Sequence, residues 1–91
     1  MPDEPTERNE EAHTLAVQRL FIQYQPAIRG YIMVMIADFS LAEDVLQEVF
    51  LVVTRKAADF KMGTSFPAWV KTIARFKCLE AIRARGRQPD S

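Results

Sequence analysis

Apolar residues recur along most of this chain at spacings of three and four, the period of a helix with one buried stripe. Val17, Leu20, Phe21 and Tyr24 form the first such series and predict a helix over about Thr6 to Gln25. Pro26 suits the first turn of a second helix, where its missing N–H costs nothing, and Ile28, Tyr31, Ile32 and Met35 carry the pattern to about Asp38. Gly30 inside that helix suggests a close approach of another helix. Ser40 followed by Glu43 has the spacing of a capping box and predicts the start of a third helix that runs to about Ala58. The segment "DFKMGTSF", residues 59–66, is the one substantial loop. Thr64 or Ser65 then caps a fourth helix with Pro67 in its first turn, and Gly86 with Pro89 marks its end. The pattern predicts an all-α fold, a small helical bundle of about four helices without strands.

Laid out at about 100° per residue, the third helix has two unlike sides. Ala42, Val45, Leu46, Val49, Val52 and Val53 gather on one, with Phe50 and Ala57 at its margin, and are expected in the core. Opposite them Asp44, Gln47, Glu48 and Leu51 form a contiguous strip that contains no lysine or arginine. Two readings fit that strip. It is a solvated face with one exposed leucine, or an interface whose central apolar contact is flanked by acidic and amide groups able to pair with a partner's arginines.

The fourth helix changes the picture through its charge. From Lys71 to Arg87 six basic residues (Lys71, Arg75, Lys77, Arg83, Arg85, Arg87) face one acid, Glu80, a local net of +5 in a chain whose formal net charge is +0. Phe60, Phe66, Trp69 and Phe76 stand before and within this stretch, and interleaved aromatic and basic groups are the pattern of proteins that hold single-stranded nucleic acid. Trp69, Ile73 and Phe76 also share a line at spacings of four and three, so Trp69 and Phe76 are expected mainly in the core.

Composition sets outer bounds. At 91 residues, 48% hydrophobic and 26% charged, the chain suits one small globular domain. The expected organisation is a frayed acidic N-terminus over 1–12, a helical domain over 13–87 and the start of a linker over 88–91. One cysteine and one histidine leave no disulfide framework and no zinc cluster, and point to a reducing compartment. His13 has no nucleophile beside it, so no catalytic chemistry, cofactor or metal is expected. The longest apolar run, Tyr31 to Ala37, is too short to span a bilayer and the N-terminus lacks the plan of a signal peptide, which together predict a cytoplasmic protein.

"AEDVLQEVF" at 42–50, the loop, and "FPAWVKTIARFKCLEAIRARGR" at 66–87 together resemble the second conserved region of bacterial RNA polymerase sigma factors of the sigma-70 family, most closely the small extracytoplasmic-function (ECF) group. The pattern Asp44, Gln47, Glu48, Phe50, followed by Phe66, Trp69 and Ile73 to Arg75, is specific in combination. The resemblance implies that Asp44, Gln47, Glu48 and Leu51 contact the clamp helices of the largest polymerase subunit, with Phe50 in the core. It implies that Phe60 to Ser65 form a loop that captures a flipped non-template base of the promoter minus-ten element, with Phe60, Lys61 and Met62 among the DNA contacts. Lys71, Arg75, Lys77, Arg83 and Arg85 become the remaining DNA contacts, and an anti-sigma factor is a further partner the resemblance admits. The family commonly has asparagine at the position of Phe76 and aspartate at that of Glu80, departures that bear on melting and base preference. It also continues into a helix-turn-helix domain that reads the minus-thirty-five element, so a chain that stops just after Gly86 is expected to be an excised domain or a truncated protein. The competing expectation is a helical adaptor that binds only protein, with the basic helix as a solvated face.

Overall fold

The computed structural model describes the backbone of residues 5–87 and the side chains of residues 8–86. The chain forms helix α1 over Pro5–Met35, α2 over Phe39–Arg55, a single 3-10 turn over Ala57–Asp59 and α3 over Phe66–Arg87, and no strand occurs among the described residues. The all-α bundle is as expected, but the first two predicted helices are one. α1 runs through Pro26 because the stripe of Val17 and Phe21 continues into Ile28 and Ile32, and all four are buried in one core. The proline removes one backbone hydrogen bond, to the Ile22 carbonyl, while burial of each large apolar side chain is worth roughly 1.5–3 kcal/mol. Packing therefore outweighs the local break. Gly30 is not a close-contact site, since a Cβ there would meet nothing within 4 Å. α1 also begins at Pro5, so residues 5–12, expected to fray, are helical. The first four residues and the expected linker start at 88–91 lie outside the described residues, as does Pro89.

α2 buries the six residues that periodicity assigned to its inner side, Ala42, Val45, Leu46, Val49, Val52 and Val53. Its cap differs from the expected one. Asp38, in extended conformation, accepts a hydrogen bond from the Leu41 N–H at 3.0 Å, which places Ser40 inside the first turn. Glu43 is not available for a capping box because Arg29 of α1 holds it, Nε to Oε2 at 2.6 Å and Nη2 to Oε1 at 3.3 Å. Asp is as good an N-cap as Ser, and the long-range guanidinium is a stronger partner for the glutamate than a backbone N–H.

α3 starts as expected. The Ser65 hydroxyl accepts from the Ala68 N–H at 3.2 Å, and Pro67 sits in the first turn, where it forfeits no hydrogen bond. Gly86 does not end it, because the helix continues to Arg87. Phe66, Val70, Ala74 and Cys78, spaced by four, face the core between α1 and α2, and burial pushes the Cys78 thiol pKa up. The 3-10 turn is tied to α1 by His13, whose Nε2–H donates to the Ala57 carbonyl at 2.9 Å. Gln18 donates to the Thr54 hydroxyl at 3.1 Å and fixes the same end of the bundle.

Candidate functional site on two faces of the bundle

The acidic strip of α2 is exposed along its whole length. Asp44, Gln47, Glu48 and Leu51 all face solvent, and Leu51 is 55% exposed despite being the largest apolar group on that side. Across a groove from it stands Ile22 of α1, 62% exposed, with Gln25 beside it and Phe21, Leu46 and Phe50 between the two helices. Phe50 is half-buried and meets Phe21 edge-on at 5.1 Å between ring centroids, which fits the expectation of a core margin. Sequence reasoning missed Ile22 and Gln25. The available signal was that Ile22 lies off the Val17–Phe21–Tyr24 stripe, an apolar side chain between the polar Gln18, Arg19 and Gln25.

The basic side chains of α3 divide into two sets. Lys71, Arg75 and Arg83 are exposed, and no ion pair engages them among the described residues; the Lys71 ammonium stands 5.8 Å from the Tyr31 ring centroid. Lys77 instead points toward α2. Its Nζ lies 2.6 Å from Glu80 Oε1 and 3.0 Å from Glu48 Oε1, and the hydrogen bonds to Glu80 first and Glu48 second raise its pKa. Arg85 reaches Asp38 at the start of α2, Nη2 to Oδ2 at 3.0 Å. Two of the five basic residues of α3 expected on DNA are thus engaged inside the domain. The helix circumference explains Lys77, which falls about 120° or more away from Lys71 and Arg75 and so on the side that abuts α2.

Phe60 does not belong to the exposed loop. Its ring is 3% exposed and lies 5.4 Å from that of Phe66 and 5.2 Å from that of Trp69. Trp69 is half-buried against the core, as expected, and Tyr24 stacks on Phe66 at 5.9 Å. The solvent-facing part of the loop is Lys61 to Ser65. It is held as a tight turn in which both the Thr64 N–H and its hydroxyl donate to the Lys61 carbonyl, at 3.2 and 2.6 Å, and Gly63 adopts φ 91°, a left-handed conformation that a Cβ would strain. Met62 is 44% exposed and lies beside Leu15, Arg19 and Gln23 of α1. Phe76 reverses the other aromatic expectation. It is 61% exposed rather than core.

Among the described residues no group of three or more His, Cys, Asp or Glu side chains could hold a metal ion, and no helix is long and apolar enough to cross a membrane. The arrangement is suited to binding. One face offers apolar groups among carboxylates and amides, the other outward cations beside an ordered, exposed turn.

Comparison with known proteins agrees with the motifs. Residues 20–88 match the family described as Sigma-70 region 2. The chain is 37% identical over 68 residues to the RNA polymerase sigma factor CarQ of Myxococcus xanthus, which covers 75% of this chain and 39% of that protein. It is 32% identical over 83 residues to the RNA polymerase sigma-H factor of Pseudomonas aeruginosa, covering 91% of this chain and 43% of that one. The chain therefore spans about two fifths of the length of these curated relatives.

Proposed function

Because this chain belongs to the Sigma-70 region 2 family, we propose that it serves transcription initiation as a sigma-factor domain of the ECF group, docking on core RNA polymerase through α2 and engaging the promoter minus-ten element through the loop and α3. The observation that carries this reading is the segregation of charge in a neutral chain. Asp44, Gln47, Glu48 and Leu51 form the polymerase contact, with Ile22 and Gln25 extending its apolar and amide groups across the groove. An exposed leucine and isoleucine rimmed by carboxylates suit a helical partner that brings aliphatic groups and arginines to the same surface.

On the DNA side the contacts are Lys61, Met62, Lys71, Arg75 and Arg83, which already face solvent. Phe60 acts from behind, as the buried support that fixes the loop. Lys77 and Arg85 would reach phosphates only by leaving Glu48, Glu80 and Asp38. Those internal pairs reduce the outward charge and favour, as a second reading, an adaptor that binds polymerase but not DNA.

Affinity for core polymerase tests the first contact. Leu51→Ala and Asp44→Ala should leave stability within about 0.5 kcal/mol of the parent, since both side chains are exposed. Leu51→Ala should cost about 2 kcal/mol of binding, roughly thirty-fold in affinity, if it is the centre of the interface. A folded Leu51→Ala chain that binds core polymerase like the parent would remove α2 from the interface. Fork-junction DNA bound by the reconstituted holoenzyme separates promoter engagement from the adaptor reading.

A further inference from the structure

Lys77 is the cation of α3 that reaches the acidic strip of α2. Its Nζ lies 3.0 Å from Glu48 Oε1 and 2.6 Å from Glu80 Oε1, and no other ion pair among the described residues joins α3 to the strip. The three side chains are unequally placed. That of Lys77 is 16% exposed and lines a groove between α2 and α3 beside Val52, Ile73 and Phe76, whereas those of Glu48 and Glu80 are 57% and 52% exposed. A lysine whose stem is covered has few rotamers left, so its ammonium is a fixed point on which two exposed carboxylates close. Charge enters as well. One cation between two carboxylates leaves the cluster net negative, which a Lys77–Glu48 pair by itself would not be.

We propose that Lys77 is a positioning residue of the polymerase-docking face, holding the Glu48 carboxylate in one orientation while Glu80 cancels the lysine charge and leaves Glu48 able to attract an arginine of the partner. The inference rests on the reading of α2 as that face, and it assigns Lys77 to that face instead of to DNA. The gain is preorganisation. An exposed glutamate that is immobilised only on binding loses side-chain freedom equivalent to about 2- to 10-fold in affinity, and one already held by its own domain loses less. Glu80 is needed because an unbalanced lysine beside Glu48 would repel the arginine that Glu48 is to bind. The 2.6 Å contact to Glu80, shorter than the 3.0 Å contact to Glu48, fits that division of labour.

The test measures the affinity of the whole chain for core RNA polymerase by fluorescence anisotropy. Lys77→Met keeps an apolar stem and removes the ammonium. It should weaken binding about 2- to 10-fold with a thermal midpoint near the parent's, since both carboxylates are more than half exposed. Lys77→Arg should restore most of the affinity, because a guanidinium can meet two carboxylates at once. Glu80→Gln should weaken binding although Lys77 is still present. In a Glu48→Gln background Lys77→Met should have no further effect, a coupling that a merely structural lysine does not show. Equal losses from Lys77→Met in the parent and Glu48→Gln backgrounds would assign the effect to the packing of α2 on α3 and overturn the proposal. If Lys77→Met keeps full affinity for polymerase while Leu51→Ala loses it, the docking face stands and the proposal falls. If neither variant changes the affinity, the docking reading falls and the proposal with it. If Lys77→Met leaves polymerase binding intact and lowers the salt slope of single-strand binding by roughly 0.7, Lys77 is a phosphate contact and the proposal is overturned.

Discussion

Replacing Phe60 by alanine separates a buried support from a base-contacting side chain. The ring is 3% exposed and sits within 5.4 Å of Phe66 and 5.2 Å of Trp69, centroid to centroid. Truncating a buried phenylalanine costs about 3–5 kcal/mol through lost transfer free energy and the cavity left behind. Of that, the two ring contacts account for about 0.5–1.5 kcal/mol each. A domain of 91 residues has a total stability of about 5–14 kcal/mol, at roughly 0.05–0.15 per residue, so Phe60→Ala removes about a fifth of it at the least and most of it if the domain is marginal. In urea, where the slope for a small protein is about 1–3 kcal/mol per molar, the midpoint should fall by roughly 2 M. Phe76→Ala is the matched control. Its ring is 61% exposed, and its midpoint should move by no more than about 0.5 kcal/mol divided by the same slope. Oligonucleotide affinity, measured on the folded fraction of each variant, completes the comparison. A Phe60→Ala chain with the parent's urea midpoint and altered base preference would show that Phe60 leaves the aromatic cluster to meet a base, and that its burial between Phe66 and Trp69 does not describe the working state.

Removing Lys71, Arg75 or Arg83 should each flatten the salt dependence of single-strand binding by roughly 0.7, whereas removing Lys77 should leave the slope nearly unchanged, because its ammonium is held by Glu80 and Glu48; equal slopes for all four variants would contradict the division into outward and inward cations. In the folded protein the Asp38 carboxyl is held below its ordinary pKa by the Leu41 N–H first and then by Arg85, and that of Glu43 by the hydrogen bond from Arg29. Their stabilisation is therefore complete above the unfolded pKa of about 4 and is lost as pH falls through the folded values, so thermal midpoints should decline in acid, modestly because Asp38 is exposed and Glu43 only half-buried, and less steeply in Asp38→Asn with Glu43→Gln; an acid limb identical to the parent's removes these two pairs from the pH response. Pro26→Ala restores an N–H to the interior of α1 and should raise the thermal midpoint by several degrees, as about 1 kcal/mol shifts a domain of this size by roughly 4–8 °C; a lower midpoint would mean that the proline stabilises more by restricting the unfolded chain than it costs in the helix.

Local chemistry determined a good part of this protein. On α2 the apolar and polar positions fall on opposite sides of one helix, so six buried residues and the four-residue strip were legible from period alone. The Ser65 cap before Pro67, a loop ahead of α3, which the structure narrows from 59–66 to 60–65, and the concentration of positive charge beyond Lys71 are likewise properties of a few neighbouring residues, and the motifs around Asp44 and Trp69 carried the family. Other features needed partners distant in the chain. Whether α1 breaks at Pro26 depends on whether Ile28 and Ile32 share a core with Val17 and Phe21, which no local rule states. Whether Asp38 or Ser40 caps α2 depends on Arg29, fourteen positions before Glu43, drawing that glutamate away. On α3 two apolar lines compete, Phe66–Val70–Ala74–Cys78 and Trp69–Ile73–Phe76, and both have helical period. Only the placement of α1 and α2 decides that the first is fully buried, that Phe76 at the end of the second is exposed, and that Lys77 and Arg85 face carboxylates instead of solvent. A helix with apolar groups on several sides can bury any of them at similar cost, and the choice is made by the surfaces it meets.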